Sequence, residues 1–579
     1  MILDELSLEQ RHAASHTGGP LLVKGLAGTG KSTVVAARAA MLLDSGVPEE
    51  KVVLISRTGS AAAAILSKFK GFRNGHGEGC LQSYTFHTWC KSLVDHFQDE
   101  LGIRGFTLSD SSDLSGFAPS FDWRISVSSW LPDLLPVIYI RYVTARVSLE
   151  EAIFWAFFRR NGFADITEEA KVKLYGRIKT AIEEYIDFKY ANKLYDEIDV
   201  QNLVAGALSG NPSIRQAVLN NTSHILIDDI QELSPLQHEI LKALAPGCEL
   251  FFAGDATLSI DSSRGADWKS LDRIPELFPG TEVLTLKRNF RSTQEIQDLA
   301  LWVLAASSLG YDVDPPQTRG SGQVPQIVCN PEKSRLYDAV AEDIRRNVGQ
   351  YGYRYEDHLL MAATDSELYG PRISLTRRGI PCLGPPTVRK RRFQGEQVFQ
   401  LLEVFSAYCV EHPDSSMGEA FLAARKAFEA SLPSDSYIFN GKCQKEYDAL
   451  QELAGQSADR DQFLALLTEK SIQTVETGYK ADNCIRIETV HTARDKEAEI
   501  CYLWDINYIN WPNRDEARVE ESLEEKRRLL SIAISRARSK VVILSENHPG
   551  MFELSKKKRK NRFFMVGVGP RAELVAPEQ

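Results

Sequence analysis

The stretch "PLLVKGLAGTGKSTVVAARAAMLL", residues 20–43, constrains the fold more than any other part of the chain. An apolar strand, Leu21–Val23, enters a glycine-rich turn and leaves as a helix. Gly25-x4-Gly30-Lys31-Ser32 fits the phosphate-loop pattern without a mismatch, and Gly28, Thr29 and Thr33 belong to the same turn. Glycines there let backbone N–H groups converge on the β- and γ-phosphates of a nucleotide. Lys31 brings a point charge to those oxygens, and Ser32 a hydroxyl for Mg²⁺. A lone GxGxxG is a weak signal, whereas this motif between a strand and a helix is specific. The competing reading is a glycine-rich structural turn.

A phosphate loop requires a second strand ending in a carboxylate that holds Mg²⁺, with a base nearby. "HILIDDIQELSPLQHEIL" (224–241) supplies one: Ile225–Ile227 are apolar, and Asp228 and Asp229 follow. Asp228 reads as the metal carboxylate and Asp229 as the base; the alternative is a solvated strand end. "KVVLIS" (51–56), before the helical "SAAAAILSKF", and "CELFFAGD" (248–255) repeat the strand–loop–helix rhythm. That rhythm predicts an α/β fold with a mostly parallel sheet and function at the strand C-termini.

The chain has 579 residues, too many for one ordinary core, so two to four domains are expected. A net charge of −10 argues against coating nucleic acid by bulk charge, while a local basic channel stays open. The nine cysteines are scattered without a CxxC and read as reduced thiols of a cytoplasmic protein, or a nuclear one in a eukaryote. "MILDELSLEQRHAA" lacks the apolar region of a signal peptide, and no apolar tract is long enough to span a membrane. The basic run "SKKKRKNRFF" (555–564) reads first as a solvated loop, with a phosphate contact, a partner surface or a nuclear signal as alternatives.

The order of segments resembles the superfamily 1 helicases of the UvrD/Rep/PcrA type. The resemblance implies two RecA-like P-loop NTPase core domains with parallel sheets, each interrupted by a mainly helical insertion. The expected divisions are 1–90 with 221–300 for the first core and 91–220 for its insertion. The second core takes 301–385 with 476–570, its insertion 386–475, and a tail 571–579. "LSLEQRHAA" (6–14) looks like the adenine-reading segment, with Gln10 on the base. "ISRTGSAAAAI" (55–65) and "YTFHTWC" (84–90) resemble segments lining a single strand, which assigns Thr58, Phe86 and His87 to nucleic acid. In "LIDDIQELSPLQ", Gln231 would couple the nucleotide and strand sites. "LTLKRNFRSTQEI" (284–296) gives Asn289 to the strand and Arg291 to the γ-phosphate. "IRIETVHTARDKEAEICYLW" (485–504) gives Thr489 and His491 to the strand and Glu497 to the ribose. "EEKRRLLSIAISRARSKVVILS" (524–545) gives Arg536 as an arginine finger.

The chain also departs from that pattern. Asp229 stands where the family carries glutamate, one methylene longer, and Glu232 where it carries aspartate. Leu258 replaces a γ-phosphate-sensing glutamine in "GDATLSIDSSRGAD" (254–267), and Asp261 and Ser263 replace two stacking rings. Arg494 and Asp495 stand in place of lysine and glycine, Ser531 in place of an aromatic, and the second insertion is short. The expected function is an ATP- and Mg²⁺-dependent translocase or helicase on single-stranded or 3′-tailed DNA, 3′→5′. A slow, nucleotide-gated regulatory subunit beside a nuclease or other protein partner, as in antiphage defence, is the second reading; RNA remodelling is the third. No membrane partner is expected.

Overall fold

A computed structural model of the chain describes residues 6–73, 81–108, 131–156, 168–260, 265–266, 268–305, 316–383, 387–391, 401–402, 404–405, 408–409, 412, 415–431, 441–459, 462–463, 466, 472–476, 483–504, 520–545 and 573–575. Residues 109–130, Asp261, Ser263, most of 397–409 and the basic run lie outside these residues. Strands β1 (Leu21–Lys24), β2 (Val52–Ser56) and β3 (Gln82–Thr85) open the chain; β4 (Thr107–Leu108) and β5 (Leu194–Tyr195) pair within the first insertion. Strands β6 (His224–Ile227), β7 (Glu249–Gly254) and β8 (Glu282–Thr285) complete a six-stranded sheet of order β3-β2-β6-β7-β1-β8. Every pairing in it is parallel.

The two-residue period of these strands divides their side chains into two layers. Leu21, Val23, Leu54, Leu226 and Phe251 face the helices Lys31–Asp44 and Gly59–Phe72. Leu22, Val53, Ile55, Ile225, Ile227 and Phe252 face the opposite way. There they share one continuous core with the helices Phe86–His96 and Pro235–Leu244 and with Ile138, Ile182 and Val204 of the first insertion. That insertion is mainly helical, with Glu168–Ala191 and Glu197–Gly210 among its helices.

The second sheet is built from β9 (Gln326–Cys329), β10 (His358–Ala362) and β11 (Cys382–Leu383). An antiparallel ribbon, β12 (Thr387–Arg391) with β13 (Ile472–Glu476), carries the chain into and out of the second insertion. The insertion has its own small core, in which Phe421 and Phe428 of the helix Met417–Ser431 meet Tyr447 and Leu450. Strands β14 (Ile485–Thr489), β15 (Ala498–Leu503), β16 (Ala537–Ser545) and β17 (Glu573–Val575) complete a parallel sheet of order β11-β14-β10-β15-β16-β9-β17. The stretch 571–579, set apart as a tail by sequence, thus contributes an edge strand. The molecule therefore has two parallel-sheet RecA-like cores with helical insertions.

The chain passes between the cores earlier than residue 300. Ile296, Leu299 and Val303 of the helix Gln294–Ala305 pack with Ile327, Met361 and Ile543 of the second sheet. Leu258 and Ile260, in the loop after β7 of the first core, join the same cluster beside Val490, Ala493 and Ala533. The cores thus meet through an apolar contact.

Candidate nucleotide site at the meeting of the cores

The phosphate loop runs from the end of β1 into the helix that begins at Lys31. Gly28 and Gly30 have φ of 85° and 87°, in the left-handed region that glycine enters without strain. Each is also packed tightly: a Cβ on Gly28 would lie 2.3 Å from Asn289 Oδ1, and one on Gly30 2.4 Å from Gln10 Nε2. Gly25 is held as closely by Thr29. Gln10 lies in the first turn of the helix Leu8–Ser15, in a capping box with Ser7, and donates to the Thr29 carbonyl at 3.1 Å. Lys31 is buried, donates to the Gly25 carbonyl at 2.7 Å and lies 3.9 Å from Asp255 Oδ2. Burial lowers its pKa, against Asp255, Asp229 and Asp228.

Ser32 Oγ donates to Asp228 Oδ2 at 2.6 Å, which brings the loop hydroxyl and the end of β6 to one point. Burial, and then the charge of Asp229, push the Asp228 carboxyl up to about 6. Asp229 takes φ 59° and ψ 44°, a left-handed conformation that aspartate tolerates. Burial works to raise its carboxyl too, but Arg494 and the Gln231 hydrogen bond outweigh it and hold it below the usual range. Gln231 Nε2 donates to Asp229 Oδ1 at 2.9 Å, and Gln231 Oε1 accepts from the Asp255 N–H at 2.9 Å. Gln231 thus ties the acidic corner to the end of β7.

The second core presents the segments just before β15 and β16. Arg291 Nε donates to Glu497 Oε2 at 2.5 Å, and Arg538 pairs with Glu497 Oε1. Burial alone would raise the Glu497 carboxyl, but Arg291 and Arg538 hold it at about 2. Arg536 is buried, donates to the carbonyls of Ile532 and Arg494, and is lowered to about 9 by burial and by Arg291. Arg494 pairs with Glu232 Oε1 at 2.6 Å and stands 3.8 Å from Asp229 Oδ1. Thr58 Oγ1 donates to Asp495 Oδ2 at 2.6 Å.

Two residues read as strand contacts are placed otherwise. Phe86 is 5% exposed and packs edge-on to Trp89 in the first core, so its ring offers no open face to a base. Asn289 is 1% exposed, and both ends of its amide are hydrogen-bonded within the protein. Its Oδ1 accepts from the N–H groups of Arg291 and Ser292, and its Nδ2 donates to Gln297. With the Phe290 N–H on the Gly28 carbonyl at 2.9 Å, Asn289 fixes Arg291 against the phosphate loop. Thr58 and Thr489 each cap a helix, Gly59–Phe72 and Val490–Ala493. His87 is half-buried and His491 exposed. The sequence reading missed Lys68, whose Nζ donates to Thr33 Oγ1 at 3.1 Å and which feels the charges of Asp228 and Glu497. A lysine on a helix face carries no motif to mark it.

Oxygen donors suit Mg²⁺, and the adjacent Ser32 hydroxyl and Asp228 carboxylate have that chemistry. Buried Asp255 Oδ2 has no hydrogen-bond partner among the described residues, as an atom directed at a water or ligand would. Those residues contain no group of three or more metal-ligating side chains, so the remaining ligands would come from nucleotide and water. No helix among them is long and apolar enough to cross a membrane.

Comparison with known proteins follows the same order along the chain. Residues 6–279 match the UvrD/REP helicase N-terminal domain, and residues 441–548 the UvrD-like helicase C-terminal domain. The chain is 24% identical over 375 residues to the ATP-dependent DNA helicase UvrD1 of Mycobacterium leprae, covering 62% of this chain and 46% of that protein. It is 25% identical over 602 residues to UvrD2 of Mycobacterium tuberculosis (97% and 81%), and 25% over 377 residues to PcrA of Staphylococcus aureus (63% and 49%). It thus spans about half the length of several of these relatives, and most of UvrD2. The two domain matches in sequence order, laid on two parallel-sheet cores, mean that the chain belongs to the superfamily 1 UvrD/PcrA-like helicase family.

Proposed function

We propose that this chain is an ATP-dependent DNA translocase or helicase that hydrolyses Mg-ATP between its two cores and steps along single-stranded DNA, 3′→5′. The observation that carries the reading is the approach of both cores to one cleft. Lys31, Ser32 and Asp228 stand on one side with Arg291 against the phosphate loop, and Glu497 and the Ser535–Arg536 segment of the second core meet Arg291 from the other. Mg²⁺ on Ser32 and Asp228 would neutralise phosphate charge. Asp229 accepts the proton of the attacking water. Lys31, Arg291 and Arg536 offset charge that develops on the transferred phosphoryl group, where fixed cations act most strongly. Gln10 borders the loop where the base would lie, and Glu497 takes the ribose. Gln231, bonded to both Asp229 and Asp255, carries the state of the acidic corner into the loop after β7.

A second reading draws on Asp229 and Asp495. A shorter base and a carboxylate already on Thr58 favour a slow ATPase that acts as a nucleotide-gated DNA-binding subunit of a nuclease partner. One experiment separates the two: steady-state ATP hydrolysis with and without single-stranded DNA, beside strand displacement on 3′-tailed and 5′-tailed duplexes. DNA-stimulated turnover with displacement of the 3′-tailed duplex alone supports the motor. Nucleotide-dependent DNA binding without displacement supports the gated subunit, and equal activity on RNA overturns both.

A further inference from the structure

The turn Arg494–Asp495 projects from the second core into the acidic corner of the first. Arg494 is 3% exposed, and its guanidinium lies between two carboxylates of the first core, Glu232 at 2.6 Å and Asp229 at 3.8 Å. Glu232 is fixed in turn, because its Oε1 accepts from the Ile260 N–H at 3.1 Å. The Arg494 carbonyl accepts from Arg536, and the neighbouring Asp495 accepts from Thr58. Three anchors therefore set where this guanidinium sits: those to Glu232 and Thr58 cross between the cores, and the one to Arg536 lies within the second core.

We propose that Arg494 is a positioning residue supplied by the second core, which aims the Asp229 carboxylate and so makes hydrolysis conditional on closure of the cores. The inference rests on the reading of Asp229 as the hydrolytic base. Gln231 holds one oxygen of Asp229 from within the first core, and Arg494 approaches that same oxygen from outside it. Without Arg494, Asp229 and Glu232 would lose the cation that lies between them, and their mutual repulsion, no longer offset at that point, would swing Asp229 off its line. A guanidinium suits the task because its planar fork serves two carboxylates at once, where an ammonium is a single point of charge. The three residues that meet here, Asp229, Glu232 and Arg494, and the adjoining Asp495 on Thr58 are all positions at which the sequence departs from the family pattern. The substitutions fall on both sides of one contact.

The test is steady-state ATP hydrolysis by the full chain and its Arg494→Gln, Arg494→Lys and Glu232→Gln variants, with binding of a fluorescent ATP analogue measured on each. Arg494→Gln should lower kcat by about 10- to 100-fold, as expected when a reacting group is misplaced by about an ångström, and leave KM and analogue binding near wild type. Arg494→Lys should recover part of kcat. An unchanged kcat in Arg494→Gln, or a raised KM with kcat intact, overturns the proposal. If Arg494→Gln fails to fold or to bind the analogue, Glu232→Gln decides. It keeps the arginine but weakens its anchor, so kcat must fall with KM unchanged, and a wild-type kcat overturns the proposal. A wild-type chain that hydrolyses no ATP with or without single-stranded DNA removes the motor reading itself, and the role of Arg494 with it.

Discussion

The Thr58 hydroxyl donates to the Asp495 carboxylate at 2.6 Å and so joins the loop after β2 of the first core to the turn before β15 of the second. The same oxygen accepts from the Ala61 N–H at 3.1 Å and caps the helix Gly59–Phe72. A phosphate approaching this helix end would meet a carboxylate already there, and like charges at close range disfavour binding. Asp495→Gly removes the carboxylate and leaves the cap in place. We expect it to tighten single-stranded DNA binding by about 5-fold, or ~1 kcal/mol, read by fluorescence anisotropy with a labelled oligonucleotide. An affinity equal to wild type would place the strand away from Thr58.

Asp229 is best tested by asparagine. Both residues tolerate the left-handed backbone observed at 229, so Asp229→Asn removes the charge without the strain that alanine would add. Asparagine also keeps an oxygen for the Gln231 amide. Loss of a general base costs roughly 100-fold or more, and hydrolysis should fall by that factor while nucleotide binding persists. Single-turnover hydrolysis and equilibrium binding, measured together, check it. A variant that keeps more than about a tenth of the wild-type rate would mean that another group takes the proton.

His238 gives the protein a pH dependence away from the nucleotide. It sits on the helix Pro235–Leu244, and its Nε2 has no hydrogen-bond partner among the described residues. Burial, then Lys242 and Arg273, push the imidazole down to about 4 from its ordinary 6.5. The unfolded chain takes up the proton near 6.5 and the folded chain only near 4, so between those values the unfolded state binds more protons. Stability is full above pH 6.5 and falls as the pH drops toward 4, by on the order of 3 kcal/mol from this group. His238→Leu removes the titration, so the acid-side loss in urea unfolding midpoints between pH 7 and 4.5 should be shallower than in wild type.

What could be read from the sequence was local. Lys31 and Ser32 follow a six-residue glycine pattern, and Asp228 follows an apolar run. The structure brings Ser32 and Asp228 to 2.6 Å although they lie 196 residues apart, because β1 and β6 are both parallel strands with C-terminal ends on one edge. What could not be read depended on which surface each side chain met. Phe86 and Asn289 carry residue types common at nucleic-acid sites, but the helix Phe86–His96 turns its first ring into the core, and Asn289 spends its amide oxygen on its own backbone segment and its nitrogen on Gln297. Arg494 and Asp495 stand in place of a lysine and a glycine. Their partners, Glu232 and Thr58, lie more than two hundred residues away in the other core, and no local pattern indicates such a pairing.

Leu258 shows that restoring a family residue need not restore a family property. The resemblance expects glutamine there, but the leucine is 8% exposed and packs with Val490, Ala493, Leu530 and Ala533 of the second core. The adjoining Ser259 carbonyl already accepts from Arg528 Nε at 2.5 Å, so the polar link between the cores at this loop is made by backbone. A glutamine at 258 would bring an amide into an apolar contact, and a buried amide without partners costs about 1–3 kcal/mol. Leu258→Met keeps volume and polarity and should cost less than about 1.5 kcal/mol. Thermal unfolding should therefore rank wild type and Leu258→Met together and Leu258→Gln clearly below. If Leu258→Gln is instead neutral in stability and raises DNA-stimulated hydrolysis, the loop after β7 faces the nucleotide in the working enzyme and the apolar contact opens during turnover.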